Sequence, residues 1–281
     1  MIDWEKYFDH IYCICNISTN KFDKIKNELK RVGILDSNIF SWKITTNLLL
    51  DHITYDLTYK KEEYNTQLIK NKSIDLIKAN LDIFTEAKLL KYNKILIIED
   101  DACFLKDINE IKKILENLPN DYDICHFDWI YPYIDDNNIN NIIDIENRIK
   151  KSTINKYFIY SEGSYITTCN AYSRQMIEYI INNINEYFNN KICMPIDDFL
   201  LYIIYSYQIQ ISDDYEYIYN KNLIKYNIII KNIISINRLC IQSFNKNSLN
   251  SNLGHNNFYI DDYNTLQNIL NKNFNFNNYN L

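Results

Sequence analysis

The sequence predicts an α/β fold in which a mostly parallel central sheet is flanked by helices. Short apolar runs rich in β-branched residues, such as residues 94–98, are typical of strands that are buried on both faces. Amphipathic segments alternate with these runs, as the βαβ units of a parallel sheet require. We find no internal repeat and no linker, so we assign residues 1–245 to one domain and residues 246–281 to an Asn-rich C-terminal tail.

The first half of the chain opens as a βαβ unit. Residues 11–17 predict a buried strand, and residues 21–31 predict a helix because apolar side chains recur at helical spacing. Gly33 is placed to end that helix, and residues 39–44 predict the second strand. After a polar stretch without assignable structure, a long amphipathic helix is predicted at residues 74–92. Its apolar stripe consists of Ile77, Leu81, Phe84, Ala87 and Leu90.

The remaining elements alternate in the same way. The strand at residues 94–98 is followed by a helix at residues 108–118 and by a strand at residues 122–129. A strand at residues 164–169 then leads into a helix at residues 171–188. Residues 194–198 lead into a further predicted helix that extends through Tyr205.

Composition and charge exclude several classes of protein. A net charge of −6 argues against general binding of the nucleic-acid backbone. The seven cysteines are an odd number without framework spacing, so we expect reduced core thiols. Asp3, Glu5 and Lys6 interrupt any apolar N-terminal run, and no apolar stretch is long enough to span a bilayer. We expect a cytoplasmic protein without a transmembrane segment, with peripheral membrane contact left open.

Three carboxylates, Glu99, Asp100 and Asp101, directly follow the strand at residues 94–98. In open α/β sheets, ligands bind beyond the carboxyl ends of the strands. Adjacent carboxylates repel one another unless a cation or a proton offsets them, and Mg²⁺ and Mn²⁺ prefer hard oxygen donors. We therefore expect a divalent cation that carries a phosphorylated ligand. The alternative is a solvated acidic turn, and lysine or arginine partners for these carboxylates would argue against the metal.

Four segments follow one another in a fixed order: Asn16-Ile17, KILIIEDD at residues 94–101, GSYITTCNAYS at residues 163–173, and Pro195-Ile196-Asp197. Together they resemble glycosyltransferase family 25, which includes bacterial lipooligosaccharide galactosyltransferases and collagen hydroxylysine galactosyltransferases. The resemblance covers roughly residues 9–205, and the Glu-Asp-Asp segment is its most specific part. It implies a GT-A (Rossmann-like) fold, a UDP-galactose or UDP-glucose donor, Mn²⁺, and inversion at the anomeric carbon.

The chain also departs from the family pattern. Only Lys21 and Lys24 follow the first strand, where the family often carries an arginine pair. Ala79-Asn80 replaces a Ser-His pair, and Asn170-Ala171 replaces Gly-Ala. These departures leave open an altered donor or the loss of activity.

The resemblance assigns the donor side of the site. Asp101 is the expected direct ligand of Mn²⁺ or Mg²⁺, and Glu99 is expected to contact the metal or the ribose. Residues i and i+2 of an extended chain lie on one side, about 6–7 Å apart, which suits this acid-x-acid pair. His255 is a further candidate metal ligand, and the alternative for it is an exposed loop position. The other candidates for binding the UDP-sugar are Asn16, Lys24 and Asp100; for Lys24 the alternative is a solvated helix face.

The acceptor side needs a general base. Asp197 is the first candidate and Asp198 the second, while the alternative for both is a helix N-cap. Asp128 alternates with its neighbours on a predicted strand, so it either faces the site or belongs to the core. The remaining candidates for contacting the acceptor, with a tight turn and a core aromatic as the alternative, are Gly163, Ser164 and Tyr165.

The resemblance, together with these residues, implies a metal-dependent, inverting hexosyltransferase. It would move galactose or glucose from a UDP-sugar to a hydroxyl of a glycan acceptor, of lipooligosaccharide or capsule type, or of a hydroxylated protein. One alternative is a non-catalytic GT-A-like module that binds a glycan or a partner. Another is a metal-dependent phosphohydrolase or nuclease, although the acidic charge balance counts against nucleic acid.

Overall fold

The computed structural model describes residues 1–17, 21–45, 67–105, 107–128, 153–160, 167–189, 196, 200, 232–235 and 239–242. A short 3₁₀ helix (Trp4–Lys6) precedes the first strand. The strands are β1 (His10–Cys15), β2 (Phe40–Ile44), β3 (Lys94–Glu99), β4 (Ala102–Phe104), β5 (Ile124–His126), β6 (Thr153–Asn155), β7 (Phe158–Tyr160), β8 (Cys169–Ser173), β9 (Asn232–Ser235) and β10 (Cys240–Gln242). The helices are α1 (Lys21–Arg31), α2 (Gln67–Leu90), α3 (Ile108–Glu116) and α4 (Arg174–Asn189).

A central sheet of eight strands has the order β2-β1-β3-β8-β5-β9-β7-β6. β1 is parallel to β2 and β3, and β5 is parallel to β9. β8 lies antiparallel between β3 and β5, so the start of β8 meets the carboxyl ends of both neighbours. β4 and β10 form a separate antiparallel pair. The prediction of an α/β fold with a mostly parallel sheet is confirmed at this level.

Helices cover both faces of the sheet. In β1, Ile11 and Cys13 pack on one face and Tyr12 and Ile14 on the other, as the alternation of a strand requires. α1 and α3 cover the first face, to which they contribute Ile25, Leu29, Ile111, Ile114 and Leu115. α2 and α4 cover the second face, to which they contribute Ile83, Phe84, Ala87, Met176, Ile177 and Ile180.

The end of α1 follows from one glycine. Gly33 has a φ of 78°, a left-handed conformation that carries no steric penalty for glycine. Its N–H donates to the carbonyl of Lys30 at 3.1 Å, and the N–H of Ile34 donates to the carbonyl of Leu29 at 2.9 Å. These two bonds form a Schellman motif. The predicted bounds of this helix and its terminator are therefore confirmed.

The predicted strand at residues 164–169 is wrong in its placement. β8 runs from Cys169 to Ser173, so the predicted start of the next helix at Ala171 lies inside a strand. The error in placement has a physical reason. Asn170 is a buried polar residue in the middle of β8, and in the sequence such a residue suggests the end of a strand. Its side chain is satisfied by His126 on the neighbouring strand, which no local pattern reveals.

Two other elements differ from the prediction in extent or face. α2 begins at Gln67, seven residues earlier than predicted, and its buried side chains include Ile83, which is 0% exposed. Leu90 is 55% exposed and was wrongly placed in the apolar stripe. The predicted strand at residues 122–129 is reduced to the three residues of β5.

Other predictions meet the described residues only in part. Ile196 and Leu200 have helical backbone and pack on the second face of the sheet. The proposed tail at residues 246–281 and its boundary lie outside the described residues. None of the six cysteines in the described segments forms a disulfide. Among the helices that the structure describes, none has the length and apolar character needed to cross a bilayer.

Candidate functional site

Polar residues converge at one edge of the central sheet, where the carboxyl ends of β1, β3 and β5 meet the start of β8. The pairing brings this about, because Ile98 of β3 pairs with Cys169 and His126 of β5 pairs with Asn170. We call this set the polar edge. It consists of Asn16, Glu99, Asp100, Asp101, His126, Asp128, Thr167, Thr168 and Asn170.

A lysine from α1 holds two of the three acids. Lys21 is the first residue of α1, and its Nζ lies 3.1 Å from Oδ2 of Asp101 and 3.5 Å from Oδ1 of Asp100. Asp100 also accepts a hydrogen bond from the backbone N–H of Asn16 at 3.2 Å. The side chain of Asp101 is only 8% exposed, so the carboxylate is largely removed from water. One ammonium group therefore offsets two carboxylates in a partly buried site.

The charges in this group perturb one another. Burial lowers the pKa of Lys21, but the carboxylates of Asp101 and Asp100 outweigh burial, so its pKa is raised above the ordinary value. Burial raises the pKa of Asp100 and the neighbouring Asp101 adds to this, although Lys21 opposes both effects. The ammonium group of Lys21 is therefore stabilised in its charged form, whereas burial and Asp101 disfavour the charged form of Asp100.

Glu99 has a different environment from the two aspartates. It is the last residue of β3, and its carboxylate accepts a hydrogen bond from the hydroxyl of Thr167. Its backbone N–H donates to the carbonyl of Thr168 at 2.8 Å. Thr168 is fully buried, and within the described part of the chain its hydroxyl has no hydrogen-bond partner. Glu99 is therefore oriented by the residues that lead into β8.

The expected pairing of Glu99 with Asp101 does not take the predicted form. β3 ends at Glu99, so the extended geometry behind the i, i+2 argument does not continue to Asp101, which lies in a turn. The shared ammonium group instead joins Asp101 to Asp100. The cation-holding pair in the structure is Asp100 with Asp101.

A buried chain of polar groups runs behind the acids. Nδ1 of His126 lies 3.0 Å from Oδ1 of Asn170, and Nδ2 of Asn170 donates to the hydroxyl of Tyr172 at 3.5 Å. All three residues are at most 1% exposed. Burial also raises the pKa of the Tyr172 hydroxyl, which keeps it neutral. This chain joins β5 to β8 and places the imidazole of His126 in the core.

Two further sequence candidates lie at or near this edge. Asp128 is 1% exposed, so its carboxylate is not presented at the protein surface and the core alternative is favoured for it. Lys24 is exposed on α1, whereas the ammonium group that reaches the acids belongs to Lys21. The other candidates lie outside the described residues, and they are Asp197, Asp198, Gly163, Ser164, Tyr165 and His255.

A divalent cation at the polar edge remains a prediction from the sequence. In the described residues, no group of three or more His, Cys, Asp or Glu side chains is arranged to hold a metal ion. Mg²⁺ and Mn²⁺ are commonly held by only one or two carboxylates, with water and substrate phosphates as the other ligands. The Lys21 ammonium marks a position at which Asp100 and Asp101 stabilise positive charge. The same contact also argues against a metal site, because the ammonium group of Lys21 already partners both acids.

Sequence reasoning underestimated two residues of this site. By sequence alone, Lys21 is named only beside Lys24, in place of an arginine pair, yet its position as the first residue of α1 separates the two lysines. Thr167 was not singled out. Its contact with Glu99 spans 68 positions in sequence and depends on the antiparallel insertion of β8.

The comparisons with known proteins do not identify a family. No protein-family model matches this chain, and no curated protein matches it. The resemblance to glycosyltransferase family 25 therefore remains a prediction that depends on the residues quoted for it.

Proposed function

We propose that this protein is a metal-dependent glycosyltransferase with a GT-A-like domain, related to glycosyltransferase family 25. It would act in the cytoplasm and transfer galactose or glucose from a UDP-sugar to a hydroxyl of a glycan acceptor or of a hydroxylated protein. The observation that carries the proposal is the cation-holding pair Asp100 and Asp101 at the carboxyl edge of the sheet. That edge is where open α/β folds bind their ligands.

The residues of the polar edge can bind the donor. A sugar transferase must stabilise a diphosphate leaving group, and a divalent metal supplies this stabilisation as a Lewis acid. Asp101 and Asp100 would hold the metal, in agreement with their present hold on an ammonium group. Glu99 is fixed by Thr167 and would accept a hydrogen bond from a ribose hydroxyl or a metal-bound water. Lys21 lies close enough to the acids to meet the phosphates.

The acceptor hydroxyl needs a general base. Asp197 remains the first candidate for this role and Asp198 the second. An inverting reaction would proceed by a single in-line displacement, in which the base takes the proton of the acceptor as the new glycosidic bond forms and UDP departs.

The donor reaction is the most direct test, because many transferases hydrolyse their donor slowly without an acceptor. The purified protein is incubated with a panel of UDP-sugars and Mn²⁺, and UDP release is measured. We expect release with UDP-galactose or UDP-glucose that disappears when the metal is chelated. Absence of release with every sugar, together with absence of metal-dependent UDP binding in calorimetry, would contradict the proposal.

A second candidate is a non-catalytic GT-A-like module that binds a glycan or a partner. The pairing of Lys21 with both aspartates favours it, because an internal cation already offsets these acids. This candidate predicts no binding of UDP in the presence of Mn²⁺, whereas the transferase predicts binding that requires the metal. Calorimetry with UDP and Mn²⁺, each alone and then together, separates the two.

A further inference from the structure

We propose that Lys21 is an exchangeable counter-cation: it neutralises Asp100 and Asp101 in the free protein and moves to the diphosphate when a divalent metal takes its place. The inference rests on the proposed function and adds a role for one residue of this chain. It starts from the contacts of the ammonium group, which lies 3.1 Å from Asp101 and 3.5 Å from Asp100.

The local charge balance gives the first step. Asp100 and Asp101 repel each other in a partly buried site, where the opposing charges are less screened than in water. A bound ammonium group relieves that repulsion. A divalent ion that binds the same carboxylate oxygens would lie next to the ammonium group, and two cations so close repel strongly. Metal and lysine therefore compete for the two acids.

The position of Lys21 gives the second step. Its backbone is fixed in the first turn of α1, while its flexible four-carbon stem lets the ammonium group move. Anions bind well at a helix N-terminus, since the free N–H groups and the helix dipole favour negative charge there. A diphosphate that is held by a metal at Asp101 would lie within reach of both the helix start and the displaced ammonium group. The lysine then exchanges carboxylate oxygens for phosphate oxygens.

Coupled binding is the measurable consequence. Metal alone must displace Lys21 and leave it without an anion, so metal alone binds weakly. Metal together with UDP provides the displaced lysine with a new partner, so each ligand strengthens the binding of the other. Couplings between two ligands are typically 5–150-fold in affinity. The wild-type protein should show a coupling of this size between Mn²⁺ and UDP.

Substitution of the lysine tests the exchange. Lys21→Met removes the competing charge, so we expect Mn²⁺ alone to bind at least about fivefold more tightly than in the wild type, with the coupling to UDP reduced towards one. Lys21→Arg keeps the charge and should retain weak binding of Mn²⁺ alone. Lys26→Met is the matched control, because Lys26 is exposed on the same helix and should leave both affinities unchanged. Binding is measured by calorimetry and by the electron paramagnetic resonance signal of free Mn²⁺.

A second measurement guards against a variant that folds poorly. Removal of Lys21 leaves the two aspartates without this counter-charge, so Mn²⁺ alone should raise the melting temperature of Lys21→Met more than that of the wild type. Unchanged Mn²⁺ affinity and an unchanged Mn²⁺-induced shift in Lys21→Met, in a protein that binds UDP with metal, would overturn the exchange and leave the proposed function intact. If Lys21→Met binds Mn²⁺ more tightly but neither the variant nor the wild type binds UDP, the movement of Lys21 to the diphosphate is wrong, and so is the proposed function.

Discussion

Arg31 donates a hydrogen bond from Nη1 to the carbonyl of Leu105 at 3.0 Å, which ties the last turn of α1 to the segment behind the acidic residues. Its Nη2 donates to the carbonyl of Phe104 at 3.0 Å, and Glu28 accepts from the N–H of Phe104 at 3.1 Å. Lys21 holds Asp100 and Asp101 from the other end of the same helix. The start of α1 therefore contacts residues 100 and 101, and its last turn contacts residues 104 and 105. The geometry of the two aspartates depends on this one helix.

Replacement of Arg31 by Met should destabilise this arrangement. The variant loses the donors to two backbone carbonyls and the ion pair with Glu28, so we expect the free energy of unfolding to fall by about 1–3 kcal/mol. Urea unfolding followed by circular dichroism measures the loss. Arg174→Met is the matched control, since its pair with Glu178 is about two-fifths exposed and should change stability by less than about 1 kcal/mol. Equal losses in the two variants would contradict the role of Arg31.

Replacement of Asp101 by Ala should abolish metal-dependent transfer and leave the fold intact. The variant lacks the carboxylate that is the expected direct ligand of the metal. Loss of a residue that only supports a metal ligand usually lowers metal affinity or activity by about 10–100-fold. Loss of the ligand itself should therefore lower UDP affinity in the presence of Mn²⁺ by more than this. Asp121→Ala removes an exposed carboxylate and serves as the control. The activity of the variant is measured with Mn²⁺ and again without it. If both activities equal those of the wild type, Asp101 does not belong to the site.

The parts of this fold that the sequence predicted are those with local causes. The bounds of α1 follow from the apolar spacing and Gly33, and β3 follows from an apolar run that ends in acids. The parts that it missed depend on partners distant in sequence. The contact of Lys21 with Asp101 spans 80 positions, and no pattern within either segment indicates it. The strand position of Asn170 depends in the same way on His126.

Loss of the Thr167 hydroxyl should loosen Glu99. In Thr167→Val the Glu99 carboxylate loses a donor, so the free energy of unfolding should fall by about 0.5–1.5 kcal/mol. If Glu99 contacts the donor, UDP affinity in the presence of Mn²⁺ should fall as well. Thr167→Ser keeps the hydroxyl and should retain both properties. A Val variant with wild-type UDP affinity would remove Glu99 from the donor site.

Replacement of Gly33 by Ala should weaken the end of α1. The position has a φ of 78°, and a left-handed conformation costs a residue with a Cβ roughly 1–2 kcal/mol. The new Cβ would also lie 3.4 Å from Cγ of Met1, an ordinary contact that adds little. Gly33→Asn should cost less than Gly33→Ala because asparagine tolerates this conformation better. Thermal unfolding ranks the variants, and a neutral Ala variant would contradict the assignment.

His10 should make the protein less stable in mild acid. Its ring stacks on Tyr92 with centroids 5.2 Å apart, and its Nε2 lies 2.9 Å from Oγ of Ser41. Burial lowers the pKa of His10 below the ordinary 6.5, although the carboxylate of Glu86 opposes this effect. A group whose pKa is lowered by folding stabilises the protein above the unfolded-state pKa, and this contribution is lost as pH falls through the folded-state pKa. Stability should therefore decline as the pH is lowered from 7.5 to 5.

The variant His10→Gln isolates this contribution from the protonation of carboxylates, which affects every variant alike. We expect its free energy of unfolding to fall less between pH 7.5 and pH 5 than that of the wild type, because the folded state no longer resists binding a proton at this position. Ser41→Ala keeps the imidazole and should retain a steeper decline than His10→Gln. Urea midpoints at the two pH values give the comparison, and parallel declines in the wild type and His10→Gln would show that His10 does not set this pH dependence.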